Sequence, residues 1–138
     1  MVFGLFRKGG GDEEAVSRYA DVVVVSLRKS AYYADSRDGL IKVIGKALEE
    51  SPTGRVVIEM SAVKQFTSGP LGALVVSARK AAEKGGRLVL AASVSGFVGK
   101  VLATATETAA SPSYPTVRAA LSALSTEAAS AFDSAESA

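Results

Sequence analysis

The order of elements along the chain predicts an α/β domain: a mixed, mostly parallel sheet of about four or five strands packed with about four helices. Three observations carry that expectation. Apolar runs at 22–27, 55–60 and 87–92, the first two rich in β-branched residues, alternate with segments whose apolar residues recur at helical spacing. Alternating strands and helices imply right-handed crossovers between parallel strands. The chain has 138 residues, 48% hydrophobic and 22% charged, which is ample for one core and too few for two full domains.

Taken in order, residues 1–12 read as an apolar and basic tip followed by the flexible joint Gly9-Gly10-Gly11. The folded part is expected over 13–124. A short strand at 16–19, a tight turn at Ala20-Asp21 and a strand at 22–27 form an opening hairpin. Four consecutive Val residues in the second strand predict burial on both faces, hence a central place in the sheet. A loop over 28–34 carries Tyr32 and Tyr33. Asp35 or Ser36 can cap the next helix, with Asp38 in its first turn suiting the dipole. Leu40, Ile41, Ile44 and Leu48 give that helix one apolar face. Gly39 and Gly45 weaken it by about 1 kcal/mol each relative to Ala, and close packing on a neighbour would account for them. Ser51-Pro52-Thr53-Gly54 ends it, and 55–60 is a strand.

Gly69 or Pro70 opens a second helix, since proline is tolerated in the first turn. Its inward face is Leu71, Leu74, Val75 and Ala78, and Gly85-Gly86 supplies a left-handed stop. A strand follows at 87–92. Ser95 can cap a third helix with Val98, Val101, Leu102 and Ala105 inward. Residues 111–114 are loop or a short edge strand. Thr116 caps a helix from Val117 with Ala120, Leu121 and Leu124 as its face. The Ala- and Ser-rich tail over 125–138 has Phe132 as its one large apolar side chain, and fraying or disorder is expected there.

Composition narrows the chemistry. With 16 Lys and Arg against 14 Asp and Glu, the charge of +2 does not argue for nucleic acid. The absence of Cys removes disulfides, thiolate metal sites and a cysteine nucleophile. The absence of His removes the Ser-His-Asp triad and imidazole general bases. Asp, Glu, Lys, Ser and Tyr are present, but no constellation of them suggests catalysis. No catalytic residue, metal site or cofactor is expected. No apolar run approaches the roughly 18 residues that span a bilayer, and the order of apolar and basic residues at the N-terminus is wrong for a signal peptide. A cytoplasmic protein is the reading. Val2, Phe3, Leu5 and Phe6, followed by Arg7 and Lys8, suit three states: weak contact with a membrane surface, an arm packed on a groove or a neighbouring subunit, or a disordered tip. The oligomeric state is open.

The informative stretch is 55–90, R-V-V-I-E-M-S-A-V-K-Q-F-T-S-G-P-L-G-A-L-V-V-S-A-R-K-A-A-E-K-G-G-R-L-V-L. A buried strand leads through a loop to Thr67-Ser68-Gly69-Pro70-Leu71-Gly72, then a helix, Gly85-Gly86 and another strand. This resembles the STAS domain of the bacterial anti-sigma-factor antagonists, whose pattern is Asp-Ser-Ser-Gly-Leu-Gly at the helix start and Gly-Gly before a Leu-Val-Leu strand. The specific part of the resemblance covers 60–90. The looser agreement of element order covers 16–124.

The resemblance implies a phosphoprotein that works by partner switching in transcription regulation. The family's first motif serine is phosphorylated by a partner kinase of the histidine-kinase-like ATPase fold, which is itself the anti-sigma factor. A phosphatase returns the unmodified form, which binds the kinase and frees the sigma factor. Aligned on Leu71-Gly72, that serine is Ser68. Thr67 stands at the family's Asp and is a second candidate acceptor. Gly69 stands at the second Ser and Pro70 at the first Gly. The implied partner surface comprises Thr67, Ser68, Gly69, Leu71 and Gly72, with Tyr32, Tyr33 and Arg28 from the loop after the second strand. Aromatic and Arg side chains suit an interface, and closure of the core end by the tyrosines is the competing reading. The residues alone support only a helix cap at Thr67 and Ser68. They also make phosphate tolerable there, beside the positive end of a helix. Pro70 removes one N–H from the anion-binding turn, and the missing acidic residue at Thr67, together with the apolar tip, supports the alternative of an unswitched STAS adaptor subunit in a membrane-associated transport or signalling complex.

Overall fold

The computed structural model describes residues 7–8, 14–93, 96–105 and 113–137. The strands are β1 (Arg7–Lys8), β2 (Glu14–Tyr19), β3 (Val22–Leu27), β4 (Ala31–Tyr32), β5 (Arg55–Glu59), β6 (Gln65–Phe66), β7 (Arg87–Ala91) and β8 (Ser113–Tyr114). The helices are α1 (Arg37–Glu50), α2 (Ser68–Glu83), α3 (Gly96–Ala105), α4 (Val117–Leu124) and α5 (Thr126–Ser137), with a single 3-10 turn at Ala34–Ser36 before α1.

The main sheet has the order β1-β2-β3-β5-β7-β8. Its first two pairings are antiparallel and the other three are parallel, so the expected mixed, mostly parallel sheet is present. It has six strands rather than four or five because two-residue ladders close both edges. One of these is Arg7–Lys8, which pairs with Val16 and Ala15, so the segment 1–12 is not wholly separate from the domain. Val2, Phe3, Leu5, Phe6 and the joint 9–11 lie outside the described residues.

β3 sits between β2 and β5, and all four of its valines are buried. Because side chains alternate along a strand, Val23 and Val25 face one core while Val22 and Val24 face another. The first core joins them to Ile58, Leu90, Leu40, Ile44, Leu74 and Leu102, so α1, α2 and α3 cover that face. The second joins Val57, Val89, Leu121, Leu124 and Ala128, so α4 and α5 cover the other. The result is three layers, helix on sheet on helix.

Several local expectations change. β2 begins at Glu14, not at residue 16, because Ala15 and Val16 are buried and pair with Ser26 and Val25. Ser36 makes no capping bond, because the 3-10 turn already holds its backbone in a helical conformation. Gly39 and Gly45 have nothing within 4 Å of the point where a Cβ would stand, so close packing does not explain them. On α2 the buried face is Pro70, Ala73, Leu74, Ser77, Ala78 and Ala81, which leaves Leu71 and Val75 half-buried at its border. The expected stop is present: Gly85 has φ +86, while Gly86 is packed so tightly that an added Cβ would overlap the Gly54 carbonyl. Thr116 Oγ1 accepts from the Ala119 N–H at 3.1 Å, as expected of that cap. Ser95 lies outside the described residues; Val98 and Leu102 of α3 are buried, and Val101 and Ala105 are half-buried.

The tail is the largest correction. Residues 126–137 form α5 instead of fraying. Ala128 and Ala129 are buried, and the Phe132 ring meets Tyr19 edge-on with centroids 5.3 Å apart. Arg118 of α4 pairs with Asp133 through two bonds of 2.9 Å. Small side chains let α5 lie close to the sheet, and alanine's high helix propensity offsets its small apolar area.

Candidate functional site

The carboxyl ends of β3 and β5 lead into the segments that carry the candidate residues, the usual location of sites in parallel sheets. After β3 the chain forms β4, and before α2 it forms β6. These pair in parallel, Ala31 with Gln65 and Tyr32 with Phe66. The 28–34 segment is therefore not a simple loop. Ser30 O accepts from the N–H groups of Lys64 and Gln65 at 2.7 and 3.0 Å, and Tyr32 O accepts from the Thr67 N–H at 3.1 Å. The Tyr33 hydroxyl donates to Gln65 Oε1 at 2.6 Å. This ladder fixes the approach to α2.

Thr67 is the N-cap in extended conformation, but its hydroxyl makes no capping bond. It turns back to donate to Tyr32 O at 3.3 Å. The helix starts one residue earlier than the sequence suggests, at Ser68, and the Leu71 N–H donates to Thr67 O at 3.1 Å. Pro70 thus falls in the first turn, where no intrahelical donor is lost. Thr67 and Ser68 are exposed, Gly69, Leu71 and Gly72 are half-exposed, and Pro70 is buried. Gly69 has a steric reason: a Cβ there would lie 3.0 Å from Ala34 Cα, backbone that has little room to yield.

The two tyrosines separate. Tyr33 is 51% exposed beside the start of α2, whereas Tyr32 is 1% exposed. Tyr32 is therefore not a surface residue, and core closure is the correct reading for it. Its hydroxyl donates to Glu14 Oε2 at 3.1 Å, and the Lys29 ammonium lies 4.9 Å from its ring centroid. Burial, and then the nearby Glu14 charge, push the Tyr32 phenol well above its ordinary value, so it stays a donor. Arg28 is exposed at the same end but lines a separate cleft with Ser26, Glu59, Ser61 and Ala62. The residues brought together are Thr67, Ser68, Gly69, Leu71, Gly72 and Tyr33.

No protein-family profile and no curated protein sequence matches the chain. Solved structures do. An anti-sigma factor antagonist from Mycobacterium paratuberculosis aligns with a TM-score of 0.63 at 24% identity, over 80% of this chain and 92% of that one. This is the STAS fold. SpoIIAA, an anti-sigma factor antagonist solved in its unphosphorylated form, shares the fold with a TM-score of 0.56 at 12% identity, over 98% of this chain and 99% of that one. So does part of the murine Solute Carrier 26 family member A9 anion transporter, with a TM-score of 0.59 at 17% identity, over 90% of this chain and 22% of that much longer one.

On this STAS scaffold, sequence reasoning missed three residues near the candidate site. Phe97 is 65% exposed and, with Met60, Val63, Phe66 and Val98, lines a groove of about 200 Å³ beside β6. Gln65 holds Tyr33. Arg37 reaches from α1 across to α2. None has a sequence signal of its own: each owes its place to the β4–β6 ladder or to the packing of α1 on α2. Among the described residues no cluster of three acidic, His or Cys side chains is arranged to hold a metal, and no helix is long and apolar enough to cross a membrane.

Proposed function

We propose that this protein is an anti-sigma-factor antagonist that acts by partner switching. In this reading it works in the cytoplasm by protein binding and not by catalysis. Its partner is an anti-sigma factor that is also a serine kinase of the histidine-kinase-like ATPase fold. Phosphorylation at Ser68, or at Thr67 as the second choice, weakens that binding, and a phosphatase restores it.

The carrying observation is the placement of Ser68: exposed, first in a 16-residue helix, at the carboxyl end of the sheet, in a fold shared with anti-sigma factor antagonists. An exposed hydroxyl there is open to a kinase, and a phosphate would face unpaired N–H groups at the helix start. Tyr33, Leu71 and Phe97 supply apolar surface beside it for a partner. Charge introduced into the middle of such a contact disfavours docking.

The test uses the cognate kinase with ATP. The protein should gain one phosphate, mapped by mass spectrometry to Ser68. Ser68→Ala should abolish the gain and still bind the kinase; Ser68→Asp should weaken binding while keeping the fold, since Asp suits a helix start. Thr67→Ala is the control for the second acceptor. Phosphate at neither residue, or full binding by Ser68→Asp, would overturn the switch. The adaptor reading would then take its place; part of an anion transporter shares this chain's fold.

A further inference from the structure

The 3-10 turn and α1 run alongside the first turns of α2. Ala34 meets Gly69, and three residues further along both segments Arg37 meets Gly72: a Cβ on Gly72 would lie 3.9 Å from Arg37 Nε. Among the described residues nothing else from outside α2 comes within 4 Å of that point, so Arg37 is the side chain that borders the notch left at Gly72. Arg37 is electrostatically misplaced on its own helix. It is the first residue of α1, at the positive end of the dipole. Its ion pair is with Asp38, the next residue, at 3.4 Å, with side chains 46% and 92% exposed. So exposed a pair contributes little. Neither contact explains a cation at this position.

What Arg37 reaches does explain it. Ser68 lies one turn before Gly72 on the same face of α2, and side chains four apart on a helix have Cβ atoms about 5–6 Å apart. A phosphoryl group on Ser68 Oγ extends into that interval. Its charge of about −1.5 to −2 exceeds that of one carboxylate, and guanidinium matches phosphate with two parallel hydrogen bonds. We propose that Arg37 is the built-in counter-ion of phosphorylated Ser68. In the phosphorylated protein the guanidinium leaves Asp38, pairs with the phosphate and ties α1 to α2. The other charges nearby do not duplicate this. Lys29 donates to Ser36 Oγ at 3.4 Å and lies against the Tyr32 ring, while Asp35 and Asp38 oppose a phosphate. Phosphorylation then creates an ordered state of the surface as well as adding repulsion. Arg37 is a positioning residue in this scheme.

This inference rests on Ser68 as the modified residue, and its test needs no kinase. Phosphoserine is installed at position 68 by genetic encoding, and its second ionisation is followed by phosphorus NMR against pH. The ordinary value is about 6. With Arg37 present it should lie lower, by on the order of 0.5–1 unit, because an adjacent cation favours the doubly charged form. Arg37→Gln should raise it toward the ordinary value, leaving only the part due to the helix start, and Arg37→Lys should give a smaller change. Arg28→Gln, at the same end of the sheet but in another cleft, should change nothing. Equal titration with and without Arg37, or an equal response to Arg28→Gln, would overturn the pairing. An Arg37-dependent titration in a protein that its kinase leaves unmodified would keep the pairing and defeat the kinase reading. A kinase substrate with no such dependence would do the reverse.

Discussion

The two ends of the central sheet treat their polar groups in opposite ways. At the amino end of the parallel strands, Asp21 Oδ2 accepts from Thr53 Oγ1 at 2.7 Å and from Arg55 Nη1 at 3.1 Å. Ser51 is fully buried; its hydroxyl donates to Asp21 O at 2.5 Å and accepts from the Arg55 N–H at 2.9 Å. Lys84 closes the last turn of α1 by donating to Leu48 O and Ser51 O. At the carboxyl end, the hydroxyl of Ser68 is exposed, Thr67 gives up its capping bond, and Tyr33 and Phe97 present large apolar surface to water. One end uses its side chains to hold the fold together. The other relies more on backbone bonds of the β4–β6 ladder, with side-chain bonds from Tyr32, Tyr33 and Thr67 beside them, and leaves Ser68, Leu71 and Phe97 available to a partner.

The sharpest test of that contrast is a pair of glycines. Gly86→Ala at the amino end puts a methyl group into the Gly54 backbone, and a loss on the order of 3 kcal/mol or more is expected in urea denaturation. Ser51→Ala should cost about 1–3 kcal/mol by the same measurement, because two partly buried backbone partners of a buried hydroxyl are left unsatisfied. Gly39→Ala, on α1 at the carboxyl end, meets open space and should raise stability by roughly 0.5–1 kcal/mol.

Asp21 gives the pH arm of the comparison. Burial pushes its carboxyl up, but hydrogen bonds from Thr53, its own backbone and Ser125, together with the Arg55 charge, outweigh burial and hold it below the ordinary value. A carboxyl lowered on folding adds stability in full above the unfolded value near 4, and loses it as pH falls through the folded value. Asp21→Asn should remove that acid-dependent component, seen as a smaller fall in melting temperature between pH 6 and pH 3. The component should be below about 1 kcal/mol, since the Arg55 side chain is 38% exposed. Smallest in stability are Tyr33→Ala and Phe97→Ala, each expected within about 0.5 kcal/mol of the parent. Their effect should appear in titration calorimetry with the partner, as a loss of affinity on the order of tenfold. A large stability loss in either would mean that the carboxyl end also holds the fold together.

How much of this is legible in the sequence follows the same division. β3 can be read because four valines in a row have no other comfortable setting. Thr116 and Gly85 can be read because caps and left-handed stops are local chemistry. The β4–β6 ladder cannot, since each strand has two residues and its stabilisation is backbone pairing between segments far apart in sequence. For the same reason nothing distinguishes Tyr32 from Tyr33: neighbours on an extended strand point to opposite sides, and only the ladder sets which side is core. α5 escapes the sequence reading because its apolar content is small and its burial depends on the sheet face it covers. Ser68 is legible as a position in a pattern, and Arg37 is not, because no pattern within α1 points toward α2.

α5 also sets an order of events during synthesis. The first core draws its members from residues up to Leu102, and the second draws on Ala128, with Phe132 packed against it. A chain emerging from the ribosome can therefore close one face of the sheet roughly thirty residues before it can close the other. During that interval Val22, Val24, Val57 and Val89 form an uncovered apolar face on a sheet whose other side is already packed. The nascent domain passes through a one-sided form, and translation speed over the last two helices determines how long that face is available to chaperones or to other nascent chains.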